Sequence, residues 1–215
     1  MSESEQLYER QGWGNRMGFG ERPAVLVVDM QHDFCDADAP TTLAPRIAET
    51  YEPIRRLAAS ARSRGVPVLY TTGLVAADGS SAGLWRHKGR FHKEGRVQIE
   101  GSRGAEIVPE VAPQPGDRVI RKWRPSAFFE TDLEIFLRVR QIDTLLMTGT
   151  SLSGCVRATA VDAFMRDIRP MIVREGVVDR TQSVFEANLF DLEQKYADVV
   201  SLEEALAYLD GLPSA

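Results

Sequence analysis

Three side chains in this sequence are of the right types to carry out acyl transfer: Asp29, Lys122 and Cys155. Cys155 follows an apolar run (Leu145, Leu146, Met147) and a turn of small residues, Gly149-Thr150-Ser151-Leu152-Ser153-Gly154. It stands where a helical pattern begins. A thiol there meets the positive end of the peptide dipoles and a set of free backbone N–H groups. Both favour the thiolate, the reactive form of cysteine. At its reference pKa of about 8.5 a thiol is only a few per cent ionised at pH 7, so an ammonium such as that of Lys122 would help. The carboxylate of Asp29 can take the thiol proton and later return it to an amine leaving group or activate water. Attack on an amide carbonyl generates an oxyanion, for which the N–H groups of the Thr150–Cys155 turn are candidate donors.

Each residue alone has a plainer reading. An aspartate after a strand commonly caps a turn, a lone lysine is usually solvated, and a cysteine in a small turn is usually core. The elements that carry them are what join them. Ala24 to Val28 is a continuous apolar, β-branched run that reads as a strand buried on both faces and ends at Asp29. Val66 to Tyr70 is a second strand, and Arg118 to Ile120 a short third that delivers Lys122. The apolar run before Gly149 is the fourth, Pro170 to Val173 the fifth, and Val199 and Val200 a short last one. Helical spacing covers Leu43–Arg64, Asp132–Arg140, Gly154–Arg166, Phe185–Lys195 and Leu202–Leu209. This alternation predicts an α/β fold in three layers: a Rossmann-like, doubly wound sheet of about six parallel strands, helices on both faces. Right-handed crossovers put every strand's carboxyl end on one edge, where ligands bind. The long polar segment 73–104 suits an active-site cover. Residues 22–215 read as one domain, preceded by an arm at 1–21.

Composition narrows the partners. The 215 residues carry a net charge of −5 and no basic block, which argues against nucleic acid and anionic membranes. No apolar run approaches the ~18 residues of a membrane span. The polar N-terminus shows no secretory pattern, and two cysteines, Cys35 and Cys155, fit free thiols in a reducing cytoplasm. Gly12-x-Gly14 precedes the first strand, so it is no dinucleotide fingerprint. Gly149 and Gly154 have phosphate-loop spacing, but Cys155-Val156 stand where a lysine and a hydroxyl are required. His32, His87 and His92 form no zinc-helix spacing. Neither cofactor nor metal is expected.

The stretches RPAVLVVDMQHDF (22–34), KWRPSAFFETDLEIFL (122–137), IDTLLMTGTSLSGCVRATAVDA (142–163) and RPMIVREGVVDR (169–180) resemble the isochorismatase-like cysteine hydrolases, in particular the N-carbamoylsarcosine amidase branch. The resemblance implies an Asp29–Lys122–Cys155 triad and a non-proline cis peptide at Thr150–Ser151 in the nucleophile turn. It implies that Arg180 binds a substrate carboxylate, a task that suits a planar guanidinium. Trp85, Phe34 and Phe128 are the further candidate substrate contacts. The implied activity is release of ammonia, through a cysteine thioester, from a small carboxylate-bearing N-carbamoyl compound or primary amide. Relatives are commonly dimers or tetramers, so a homo-oligomer is expected. Maleamate amidohydrolases share several of these stretches and offer a rival substrate. A non-catalytic Rossmann-like binding protein is the rival of another class. The zinc loop of nicotinamidases has no counterpart after Thr71-Thr72-Gly73.

Overall fold

The computed structural model describes residues 3–43 and 46–213. Residues 1–2 of the expected arm, 44–45 of the expected first long helix and 214–215 lie outside the described residues. Six strands form one parallel sheet: β1 (Pro23–Val28), β2 (Val68–Gly73), β3 (Arg118–Lys122), β4 (Thr144–Gly149), β5 (Arg169–Val177) and β6 (Asp198–Val200). Their order is β3-β2-β1-β4-β5-β6. The helices are α1 (Glu3–Arg10), α2 (His32–Cys35), α3 (Tyr51–Ser63), α4 (Trp85–Lys88), α5 (Arg90–Lys93), α6 (Leu133–Val139), α7 (Arg157–Phe164), α8 (Gln182–Lys195) and α9 (Leu202–Asp210).

The core divides by strand periodicity. Val25 and Val27 of β1 pack with Ile54, Leu57, Ala61, Ala205 and Leu209 from α3 and α9. Ala24, Leu26 and Val28 face the other way, against Leu133, Leu137, Ala160 and Leu192 of α6, α7 and α8. Successive side chains of a strand point to opposite faces, so an unbroken apolar run is what a sheet covered on both sides demands. All six residues of β1 and of β4 are buried.

Several bounds differ from those the sequence predicts, each for a physical reason. The first long helix begins at Tyr51, after a tight 3₁₀ turn at Arg46–Thr50. Pro53 lacks the N–H an inner helical position must donate, so it is tolerated only in the first turn. The helix after Cys155 begins at Arg157, because a wide turn over Leu152–Val156 contains Gly154 at φ −110°, ψ −106°, outside helical geometry. The strand after Pro170 runs on to Val177. The segment 73–104, expected as a polar loop, holds α4 and α5. The arm lies on its own domain: Met17 and Gly18 donate their N–H groups to the Asp198 carboxylate, and Tyr8 meets the Phe190 ring edge-on at 5.4 Å.

The sheet turns at β1 and β4. Strands added after β1 lie on one side of it, those after β4 on the other, so the crossovers diverge and leave a crevice at the strands' carboxyl ends. Gly149 closes β4 at φ +101°. A Cβ there would meet the Val28 carbonyl oxygen at 2.1 Å, so only glycine allows the nucleophile turn to lie against the end of β1.

Candidate active site

Asp29 is the first residue beyond β1, fully buried, with its backbone at φ +47°. A non-glycine residue in this left-handed region is uncommon and must be held by its surroundings. The hold is visible: the Asp29 N–H donates to the Thr71 carbonyl at 3.2 Å, and the Thr71 hydroxyl donates to Asp29 Oδ1 at 2.6 Å. Lys122 ends β3 and is 1% exposed. Its Nζ donates to Asp29 Oδ2 at 2.7 Å and to the Arg124 carbonyl at 3.3 Å. β2 lies between β3 and β1, and its residue beside Lys122 is Gly73. With no side chain at Gly73, the lysine reaches across the strand to the carboxylate.

Cys155 completes the cluster, its thiol close enough to Asp29 and Lys122 for both charges to act on it. Burial pushes this thiol up to about 12; the Lys122 ammonium opposes the rise and the Asp29 carboxylate adds to it. Burial thus works against the thiolate that the sequence leads one to expect, and the Lys122 ammonium works for it. Lys122 is itself raised: burial works against its charge, but Asp29 and Cys155 together prevail. A thiol of this kind should react with iodoacetamide more slowly than a free thiol at pH 7, its rate climbing about tenfold per pH unit to at least pH 9. Alkylation rates measured from pH 6 to 9.5 check this; a plateau below pH 8 would show a depressed thiol.

The peptide bond between Thr150 and Ser151 is cis. The turn's N–H groups are largely committed. Thr150 donates to the Val28 carbonyl, Leu152 to the Val178 carbonyl, Ser153 to the Asp179 carboxylate, and Gly154 and Val156 to the Ser151 carbonyl. Thr150 is thus corrected as an oxyanion donor: it is fully buried and its N–H is spent. Ser151 and Cys155 both face the cavity, and the Ser151 N–H has no acceptor among the described residues.

That cavity, of about 430 Å³, lies over Lys122 and Cys155. Phe34, Trp85, Arg124 and Arg180 help to wall it, and none of its lining residues is an aspartate or glutamate. The Arg180 guanidinium forms no ion pair among the described residues, while neighbouring Asp179 is occupied by the N–H groups of Ser153 and Arg180. Arg124, which the sequence did not single out, donates to the Ser81 and Trp123 carbonyls and likewise has no carboxylate partner. Phe128 is corrected: it is 4% exposed, packed in the core, and covered by the Arg166 guanidinium 4.9 Å from its ring centroid. Gln98 and His92, also unflagged by the sequence, line the cavity from the cover segment. Among the described residues no cluster of three or more His, Cys, Asp or Glu is gathered to hold a metal ion.

Comparison with known proteins places this arrangement among relatives. The isochorismatase domain profile matches residues 23–204. The chain is 38% identical to N-carbamoylsarcosine amidase of Arthrobacter sp, over 96% of its own length and 78% of that protein. It is 39% identical to maleamate amidohydrolase of Pseudomonas putida, over 92% of its own length and 91% of that protein. Its fold matches the crystal structure of a cysteine hydrolase from Pseudomonas syringae pv. phaseolicola with a TM-score of 0.83 at 26% identity, covering 88% of this chain and 92% of the other.

Proposed function

The chain belongs to the isochorismatase family and is a hydrolase of amide carbon–nitrogen bonds, and on that premise we propose that Cys155, Asp29 and Lys122 release ammonia from a small carboxylate-bearing N-carbamoyl compound or primary amide. The observation that carries the reading is the buried Lys122–Asp29 contact of 2.7 Å beside the Cys155 thiol, under a cavity walled by the guanidinium groups of Arg124 and Arg180, neither with a carboxylate partner among the described residues.

The chemistry follows from the arrangement of the three groups. As the sulphur attacks the amide carbon, the thiol proton passes to Asp29, so no free thiolate is needed beforehand. Lys122 stays charged and holds Asp29 in place until that transfer. The carbonyl oxygen gains charge beside the N–H groups of Ser151 and Cys155. Asp29 then protonates the departing nitrogen, the C–N bond breaks, and a thioester on Cys155 remains for water to cleave.

Arg180 would hold the substrate's acid end, with two hydrogen bonds from one planar group. Arg180→Ala is expected to raise KM by about 100-fold while kcat changes by only a few-fold, since this contact is made equally in ground and transition states. Steady-state ammonia release checks the split; an amide lacking an acid group should show no such penalty.

N-carbamoylsarcosine is the first substrate to test, and maleamate the second, because the two named relatives match this chain about equally well. Both place a carboxylate a few bonds from an amide carbonyl. Ammonia release from either supports the class; inactivity on both, with activity on uncharged amides, would overturn the carboxylate requirement. We propose in addition a cytoplasmic homo-oligomer, dimer or tetramer, measurable by light scattering. No described helix is long and apolar enough to cross a membrane.

A further inference from the structure

The cavity over Cys155 holds more positive charge than one substrate carboxylate can match. Lys122, Arg124 and Arg180 all line it, and no aspartate or glutamate does. Lys122 is matched by Asp29 at 2.7 Å. Arg124 and Arg180 have no carboxylate partner among the described residues, so two cations stay uncompensated around one space. A charge drawn out of bulk water without a counter-charge is costly, which points to a ligand that brings the missing charge with it. Arg124 is only partly engaged. Its Nη1 donates to the Ser81 and Trp123 carbonyls at 3.0 and 2.6 Å, fastening the cover segment to the residues after β3. A guanidinium has five N–H groups in one plane. The three on Nε and Nη2 have no acceptor among the described residues, and those two nitrogens form an edge that can take a carboxylate with two hydrogen bonds. Gly83 keeps Nη2 clear, since a Cβ there would lie 3.3 Å from it. The two arginines also stand on opposite sides of the nucleophile. Arg124 lies beyond β3 and Arg180 beyond β5, while Cys155 follows β4 between them. β3 and β5 are four strand positions apart, roughly 19 Å at about 4.8 Å per strand, and two long side chains reaching inward shorten that gap.

We propose that the substrate is a dicarboxylate, with its amide or carbamoyl carbon at Cys155, one acid group at Arg180 and a second at the Nε–Nη2 edge of Arg124. The inference rests on the reading of Arg180 given above and adds a second anchor to it. Charge supports it: a dianion neutralises both guanidinium groups, whereas a monoanion leaves one of them beside the apolar walls formed by Phe34, Leu74, Trp85 and Phe91. Size agrees. The cavity of about 430 Å³ falls within the ~300–1,000 Å³ of sites that enclose drug-sized ligands. Maleamate and N-carbamoylsarcosine are smaller than such ligands and leave room for a second arm. The substrate class is therefore an N-carbamoyl amino acid with a side-chain carboxylate, or a primary amide bearing two acid groups.

Ammonia release is compared for N-carbamoylglycine, N-carbamoyl-L-aspartate and N-carbamoyl-L-glutamate, the last two adding one acid group on a short and a longer arm. In wild type the better diacid should exceed N-carbamoylglycine in kcat/KM by about 10–100-fold, the worth of one charge-assisted contact. Arg124→Gln should bring that ratio to within about threefold of one. Arg124→Lys, which keeps the charge but not the planar fork, should give an intermediate ratio. The ratio is read because it cancels any disturbance of the Ser81 contact or of Lys122, whose Nζ donates to the Arg124 carbonyl. A wild-type ratio near one for both diacids overturns the inference. So does a ratio that Arg124→Gln leaves unchanged while all rates fall, because Arg124 then serves the cover alone. If none of the three compounds is hydrolysed, calorimetric titration of wild type and Arg124→Gln with succinate, glutarate, adipate and butyrate decides. At least one diacid should bind wild type about tenfold tighter than butyrate, with the difference lost in the variant; equal affinities overturn the inference. Failure of the underlying reading looks different: a KM for N-carbamoylglycine that Arg180→Ala leaves unchanged removes the first anchor, whatever Arg124 does.

Discussion

Cys155→Ala is expected to lower ammonia release by at least about 10⁴-fold, with stability at neutral pH nearly unchanged. Removing a nucleophile that works as a unit with its base costs about as much as removing the whole unit, which is the basis of that figure. Cys155→Ser should fare no better. Burial already holds the thiol at about 12, so Asp29 must take a proton from a group far above its own ordinary range. A hydroxyl is a weaker acid still and a poorer nucleophile in the same packed surroundings. The stability effect has a definite sign. A group whose native value is raised stabilises the fold below its unfolded value and loses that contribution as pH climbs through the native one. For Cys155 this window opens near the ordinary thiol value, about 9.0, and extends to about 12. The alanine variant should therefore lose less stability than wild type between pH 9 and pH 11. Ammonia assays and urea midpoints on the same preparations check both halves. Retained ammonia release would remove Cys155 from the chemistry.

What the sequence disclosed and what it hid divide along physical lines. The sheet was legible because a strand buried on both faces must be an unbroken apolar run, and β1 and β4 are such runs. Convergence of Asp29, Lys122 and Cys155 followed, since parallel crossovers bring carboxyl ends to one edge whatever their separation in the chain. The protonation state of the sulphur was not legible. It depends on how many atoms pack around the thiol, and much of that packing comes from distant segments. Phe128 misled because it stands six residues after Lys122 in a motif-rich stretch, yet its ring turns into the core beneath Arg166. Gln98 was hidden for a different reason. A single glutamine in a polar segment carries no periodicity, and its positive φ is imposed by Asp33 and Val75, neither of which is near it in sequence.

Lys122→Met should damage stability and activity together, and a second substitution should separate the two. The Asp29–Lys122 pair has side chains 0% and 1% exposed, so deleting the ammonium leaves a carboxylate in packed surroundings with uncharged neighbours such as the Thr71 hydroxyl for compensation. Breaking a buried pair from one side costs about 3–5 kcal/mol, whereas replacing both partners by uncharged groups of similar volume is often neutral. Asp29→Asn combined with Lys122→Met is therefore expected to recover most of the lost stability. It should recover no activity, because asparagine cannot carry the proton between sulphur and nitrogen. Each variant should lose at least about 10³-fold in kcat/KM, the usual scale for a general acid–base group together with its orienting partner. The alkaline limb provides an independent check. The native value of Lys122 is raised, so its contribution is complete below the ordinary 10.5 and disappears as pH rises through the native value. The stability gap between wild type and Lys122→Met should accordingly narrow above pH 10.5, as the wild-type lysine also loses its charge. Denaturation midpoints of the three proteins from pH 7 to 11 measure this. A double variant no more stable than Lys122→Met would show that the lysine serves packing rather than charge.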